Sequence, residues 1–269
     1  MKIKFSDLVL KPLLALHPLR RRVAFALRHE YFADLDLFIP LSHDLACPLV
    51  HEDDRVSLSE IFFGGEYDSL ATHIELPRRW IDLGCNAGYF SLWLEWQRRK
   101  AGLSVDSTAL LVDADPRQPA AIERLFALNH LGSRWAFTLG LIAPGDGRQN
   151  FYQRRFMASS TQPDASNPAQ SVSIETLTPG RLRTQFPPPY DLIKVDIEGA
   201  ETDFWEHYKA LWSETKSLLL EWHGPSPGPE TWRTRLRDGG FANVRDFLPS
   251  TAHSAAMAGQ AGVLLATRS

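Results

Sequence analysis

The chain has 269 residues, 44% of them apolar and 23% charged. That is ample for the core of one large α/β domain, with or without an appendage, and excludes an extensively disordered chain. A net charge of -3 gives no general pull toward nucleic acid or an anionic membrane, and the isolated pair Cys47 and Cys85 can build neither a disulfide framework nor a zinc knuckle. A reducing, cytoplasmic setting and a small-molecule partner are therefore expected.

In chain order, residues 1–75 differ in character from the rest. A basic, helical start with Arg20, Arg21, Arg22 and Arg28 leads into a mixed stretch from Phe38 to Tyr67, read as a partly helical N-terminal cap on a main domain of residues 76–269. The apolar stretch Leu8 to Leu19 is broken by Lys11 and Pro12 and followed by arginines, unlike a secretory signal. No run of about 18 apolar residues predicts a transmembrane helix. The arginines are read as a solvated face, with weak membrane-surface or partner contact as the alternative.

From Arg79 onward, short apolar runs alternate with helical patterns, as in crossover units around a mainly parallel sheet. Strands are predicted at Trp80 to Leu83, Ala109 to Val112, Ala136 to Ile142, Leu192 to Val195, Ser217 to Trp222, Val244 to Leu248 and Val263 to Thr267, with an accessory hairpin strand at Ser171 to Ile174. Helices are predicted at Tyr89 to Arg99, Pro119 to Leu131, Ala200 to Trp212 and Pro229 to Arg237. Pro144 to Gln170 reads as a long loop, and Pro187-Pro188-Pro189 as a stiff spacer. Trp205 and Trp222 are expected in the core.

The first strand runs into Asp82-Leu83-Gly84-Cys85-Asn86-Ala87-Gly88, where two glycines let the chain turn sharply beside a ligand before Tyr89 begins a helix. A dinucleotide-binding loop is the rival reading. Asp82 would repel a pyrophosphate but attract an ammonium or sulfonium, and Asn86 replaces the glycine that lets a pyrophosphate approach. The next strand ends in Val112-Asp113-Ala114-Asp115-Pro116, where a carboxylate can accept both ribose hydroxyls of an adenosyl group. Asp113 is preferred, because Pro116 puts Asp115 in the turn.

A second motif, Asp191-Leu192-Ile193-Lys194-Val195-Asp196-Ile197-Glu198-Gly199-Ala200-Glu201, is followed by Leu218-Leu219-Leu220-Glu221-Trp222-His223. With the glycine loop, these segments resemble the FkbM family of S-adenosylmethionine (SAM)-dependent methyltransferases over about Glu66 to His223. Cys85, where that family usually has alanine, and the wording around Asp113 depart from its pattern. The resemblance implies a Rossmann-like, seven-stranded class I methyltransferase fold of the α/β class. It implies SAM lying across Asp82, Gly84, Cys85, Asn86, Gly88, Tyr89 and Asp113, with Leu141 at the tip of the third strand on the adenine side. It also implies O-methylation of a hydroxyl on a sugar, glycan or secondary metabolite. Glu66 and Tyr67 match the family's approach segment.

An alcohol must lose a proton as it is methylated, so a carboxylate or histidine at the acceptor is expected. Asp196 ends the fourth strand, Glu198 follows it, and Glu221 and His223 end the fifth on one face. These four are the candidate catalytic groups, with Glu201 near by. They can also hold a divalent metal, although metal-independent catalysis is preferred because no tight ligand motif such as H-x-x-x-H is present. Two other classes compete: a non-catalytic module that docks a protein, and an NAD-dependent oxidoreductase. Clustered acids argue against the first, Asp82 and Asn86 against the second.

Overall fold

A computed structural model describes residues 37–51, 54–153, 170–224, 226–248 and 261–268. The basic segment with Arg20 to Arg28 lies outside the described residues. Strands β1 (Leu37–Pro40) and β2 (Ala46–Leu49) form an antiparallel hairpin. Helix α1 (Asp54–Leu58) runs into a π-helical turn at Ser59–Phe63, and α2 (Leu70–His73) follows. The described part of the cap thus contains a hairpin as well as short helices.

The main sheet begins with β3 (Arg79–Leu83). Then come α3 (Tyr89–Lys100), β4 (Thr108–Asp113), α4 (Gln118–Asn129) and β5 (Trp135–Leu139). An antiparallel pair, β6 (Arg148–Gln153) with β7 (Gln170–Glu175), leads to α5 (Pro179–Gln185) and β8 (Tyr190–Val195). The chain continues through α6 (Glu201–His207), α7 (Lys209–Trp212), β9 (Thr215–His223), α8 (Pro229–Asp238), β10 (Asn243–Leu248) and β11 (Ala261–Thr267).

Seven strands form one sheet in the order β10-β11-β9-β8-β3-β4-β5. Counted within that sheet, the order is 3-2-1-4-5-7-6, with β11 antiparallel to both neighbours and the rest parallel. This is the class I methyltransferase arrangement expected from the sequence. The central strands are apolar runs because helices cover both faces: Ile81, Leu83, Leu110, Leu111, Leu192 and Ile193 are all fully buried. One face packs Trp80, Leu111 and Trp93 toward the cap, and the other packs Ile81, Leu83, Phe204 and Trp232. Trp222 belongs to the second cluster, and Trp205 stacks on Trp212 with centroids 4.2 Å apart.

Three expectations are corrected. The stretch 144–170 is not loop throughout, since Arg148–Gln153 is a strand paired with β7. Its residues are mostly polar because, as one strand of a two-stranded ribbon, it buries only Phe151, against Leu141, Ala143 and Ile174. The third strand stops at Leu139, and Leu141 instead bridges Thr176. The helix predicted over Ala200 to Trp212 is interrupted at Tyr208, with φ -109° and ψ 28°.

Tyr208 explains its own break. Its buried hydroxyl accepts from the Ala143 N–H at 3.1 Å and reaches the Leu177 and Ala143 carbonyls at 2.7 and 2.9 Å. Tyr208→Phe is expected to destabilise the protein by about 1–3 kcal/mol by stranding those groups. A thermal unfolding midpoint unchanged by the substitution would refute this.

Candidate functional site

The chain reverses its winding between β3 and β8, and the crevice at such a switch point is where open α/β sheets bind ligands. A cavity of about 410 Å³ lies there, walled by the tips of β3, β4, β8 and β9 and by the cap. That volume is within the usual range for small-molecule sites.

Its first half is built by the loop after β3. The Gly84 and Cys85 N–H groups both donate to the Val112 carbonyl, at 2.9 and 3.0 Å, tying the turn to β4. Gly84 has φ +74°, and a Cβ there would stand 1.6 Å from the Asp196 carbonyl oxygen of the neighbouring strand tip. Asn86 also adopts a left-handed conformation, φ +49°, which asparagine tolerates better than most residues. Its amide oxygen accepts from Gln118 Nε2 at 2.8 Å, and its Nδ2 reaches Ser57 Oγ of the cap at 3.4 Å.

Asp113 completes this half. It takes the Asn86 N–H on Oδ2 at 2.7 Å and the Asp115 N–H on Oδ1 at 2.8 Å, leaving the second lone pair of each oxygen for a ligand. Burial pushes its carboxyl up to about 6, partly opposed by those two amide bonds. Asp115 is already engaged, by the backbone and guanidinium of Arg117 and by Gln153 Nε2 at 3.0 Å. Leu141, Cys85 and Tyr89 line the cavity but are almost wholly buried. The Tyr89 hydroxyl donates to the Pro48 carbonyl of the cap hairpin, and burial raises the Cys85 thiol well above its ordinary value.

Two of the expected cofactor residues stand behind the wall. Gly88 does not line the cavity, and a Cβ on it would meet Ile122 and Leu111 at 2.9 and 3.0 Å, so it seats α3 against α4 and β4. Asp82 is fully buried and also absent from the lining. Strand alternation turns its side chain to the Trp80 face, where Oδ2 accepts from Ser91 Oγ at 2.7 Å. Among the described residues its Oδ1 has no hydrogen-bond partner, and it lies 4.0 Å from Lys194 Nζ.

Lys194 joins the two halves. It is paired in register with Asp82, is 5% exposed, and donates to Asp196 Oδ2 at 2.8 Å. Burial opposes its charge, but Asp196, Tyr67, Asp82 and Glu221 together hold the ammonium well above the ordinary lysine range. Tyr67 packs edge-on against Phe90 at 4.8 Å, and both rings line the cavity with Glu66.

In the second half, Asp196, Glu198, Glu221 and His223 all line the cavity. The chain turns through Glu198 at φ +52° and Gly199 at φ +98°. Glu201 accepts from the Gly199 N–H and pairs with His223 Nδ1, both at 3.0 Å. His223 Nε2 lies 3.7 Å from Glu198 Oε2 and from Glu221 Oε1. Burial raises both of those carboxyls, Glu221 with a further push from Asp196 and Glu198 with pushes from Asp196 and Glu201. For His223 burial acts downward, but the bond to Glu201 and the charges of Glu198 and Asp196 lift it to about 10. At neutral pH the imidazole thus holds a proton.

The sequence reading assigned no role to Ser57, Ser91 or Gln118, and none to Lys194 beyond its place in the motif. A lone lysine between Ile193 and Val195 in a buried strand was the available signal, since such a charge requires partners.

No protein-family model matches the chain, and no curated protein does. Among solved structures it is similar to the bifunctional kinase-methyltransferase WbdD, with 18% identity over 80% of this chain and 39% of that one and a TM-score of 0.38. It is similar to the O-methyltransferase from Bacillus cereus in complex with SAH, with 12% identity over 97% and 100% of the two chains and a TM-score of 0.45. For residues 942–1257 of the StiE O-MT the values are 11% identity, 81% and 78% coverage, and a TM-score of 0.46. The chain spans 39%, 41% and 58% of the chains of WbdD, EvdMO1 and the pyocyanin biosynthetic protein PhzM. Among the described residues, no helix is long and apolar enough to cross a membrane.

Proposed function

We propose that this chain is a SAM-dependent methyltransferase, resembling the FkbM family, that methylates a hydroxyl of a sugar, glycan or secondary metabolite. The observation that carries this reading is Asp113. At the tip of β4, beside the close glycine turn of β3, it presents a carboxylate whose free lone pairs suit the two ribose hydroxyls of an adenosyl group. Gly84, Asn86 and Leu141 would hold the rest of the nucleoside, with Cys85, Tyr89 and Gly88 supporting them and Asp82 acting through Lys194.

When bound, SAM supplies a methyl group on a sulfonium that an oxygen can displace in line. The chain's own task is to hold the acceptor oxygen close and to take its proton. Asp196, Glu198 and Glu221 are placed to accept that proton, and His223, held by Glu201, offsets their charge.

Calorimetric titration with S-adenosylhomocysteine should show saturable binding, and Asp113→Asn should weaken it by roughly tenfold to a hundredfold, the worth of a hydrogen bond to a charged acceptor. Absence of binding to the intact protein would overturn the reading. The pH dependence has a defined sign. Ribose hydroxyls donate to the ionised carboxylate, so affinity should be full above about pH 7 and fall as the pH drops through about 6, where Asp113 takes a proton. A profile flat between pH 5 and 8 would remove Asp113 from this role. Methyl transfer itself is tested with labelled SAM and a panel of polyhydroxylated acceptors, read by mass spectrometry for O-methyl products.

A further inference from the structure

We propose that Asp196, Glu221 and His223 bind a first-row divalent cation of the manganese type at the acceptor end of the cavity. One ligand atom from each residue can be chosen so that all lie within 4.8 Å of one another. The three sit on the adjacent tips of β8 and β9 and all face the same cavity. Donors bonded to one ion at about 2.0–2.2 Å stand roughly 3–4 Å apart, so a modest rotation of these partly exposed side chains closes the set.

His223 is oriented for this. Its Nδ1 is held by the Glu201 carboxylate at 3.0 Å, which leaves Nε2 toward Glu221 and Glu198. A carboxylate on the far ring nitrogen is the usual support of a metal-bound histidine.

A separate observation concerns Glu221. Its side chain is only 16% exposed, yet among the described residues it accepts no hydrogen bond, its nearest cationic atom being His223 Nε2 at 3.7 Å. A carboxylate removed from water without a donor is costly unless it takes up a proton or a cation meets it. Lys194 does not serve, because its ammonium is drawn to Asp196 Oδ2 at 2.8 Å. Two carboxylates and one imidazole suit manganese, iron(II) or zinc better than magnesium or calcium, which favour oxygen alone. Binding would displace the proton from Nε2. In a methyltransferase the ion could acidify an acceptor hydroxyl, but cation binding stands independently of that reading.

The test is titration of the purified full chain with Mn2+, read by loss of the free-ion electron paramagnetic resonance signal. A saturable site is expected, with nitrogen hyperfine coupling from an imidazole that disappears in His223→Gln. Asp196→Asn and Glu221→Gln should each weaken binding by at least about tenfold, with near-ultraviolet circular dichroism confirming that each variant is folded. Lack of a saturable site, or binding unchanged in all three variants, overturns the proposal. Binding with the histidine signature in a protein that ignores S-adenosylhomocysteine would sustain the cation site while removing the methyltransferase reading.

Discussion

Gly84→Ala should abolish S-adenosylhomocysteine binding and destabilise the fold by about 4 kcal/mol or more, among the largest effects a single methyl group can have. Two causes add. At φ +74° any Cβ meets its own backbone, which costs roughly 1–2 kcal/mol. That Cβ would also stand 1.6 Å from the Asp196 carbonyl oxygen, so β3 and β8 would have to separate at the point where the cavity opens. The clash is with backbone on an adjacent strand, held by the bond from the Asp196 N–H to the Leu83 carbonyl at 3.0 Å, so no rotamer change relieves it. At about 2–4 °C per kcal/mol for a domain near this size, the unfolding midpoint should fall by roughly 10 °C. A variant that melts with the parent and binds the ligand normally would show that the two strand tips are not in contact.

Lys194→Met is the second large effect, expected at about 3–5 kcal/mol, the cost of removing one partner from a buried ion pair. Methionine fills much of the space, so the loss is electrostatic. Asp196 loses the Lys194 ammonium as a donor, and Asp82, already raised by burial against the pull of Lys194 and the Ser91 hydroxyl, loses the one cation near it among the described residues. An aspartate raised above its unfolded value favours the native state at low pH and loses that contribution as the pH rises through its folded value. The variant's deficit should therefore be larger at pH 8 than at pH 5, and adding Asp82→Asn should restore part of it. Equal deficits at both pH values, measured by thermal unfolding, would place the cost elsewhere.

The parallel strands were legible because strands covered on both faces become unbroken apolar runs, as at Leu110 to Val112 and Leu218 to Leu220. Their tips followed, and with them Asp113, Asp196 and the pair Glu221 and His223. The polar ribbon at Arg148–Gln153 was not legible, since a strand that buries one phenylalanine has no apolar run to announce it. Nor was the hairpin at Leu37–Leu49, whose register depends on contacts far along the chain, such as Asn129 with Ala46. The direction of Asp82 was readable in principle from period-two alternation: a residue in register with Trp80 shares the face under α3. The expectation of direct attraction to a cation weighed charge without weighing that alternation.

The Asn129 side chain both receives from and donates to the backbone of Ala46, at 2.7 and 2.9 Å, extending the hairpin's bonding into the helix that follows Asp113. Tyr89 reaches Pro48 from the other side, and Asn86 reaches Ser57. The strand-tip loop and the cap therefore share one hydrogen-bonded seam, and free energy spent ordering either is felt by both. Linkage then makes the effect reciprocal. A compound recognised by the cap would alter the affinity of the half of the cavity beside Asp113, and occupancy of that half would slow amide exchange in the hairpin, so the order in which two ligands arrive becomes a property of the seam.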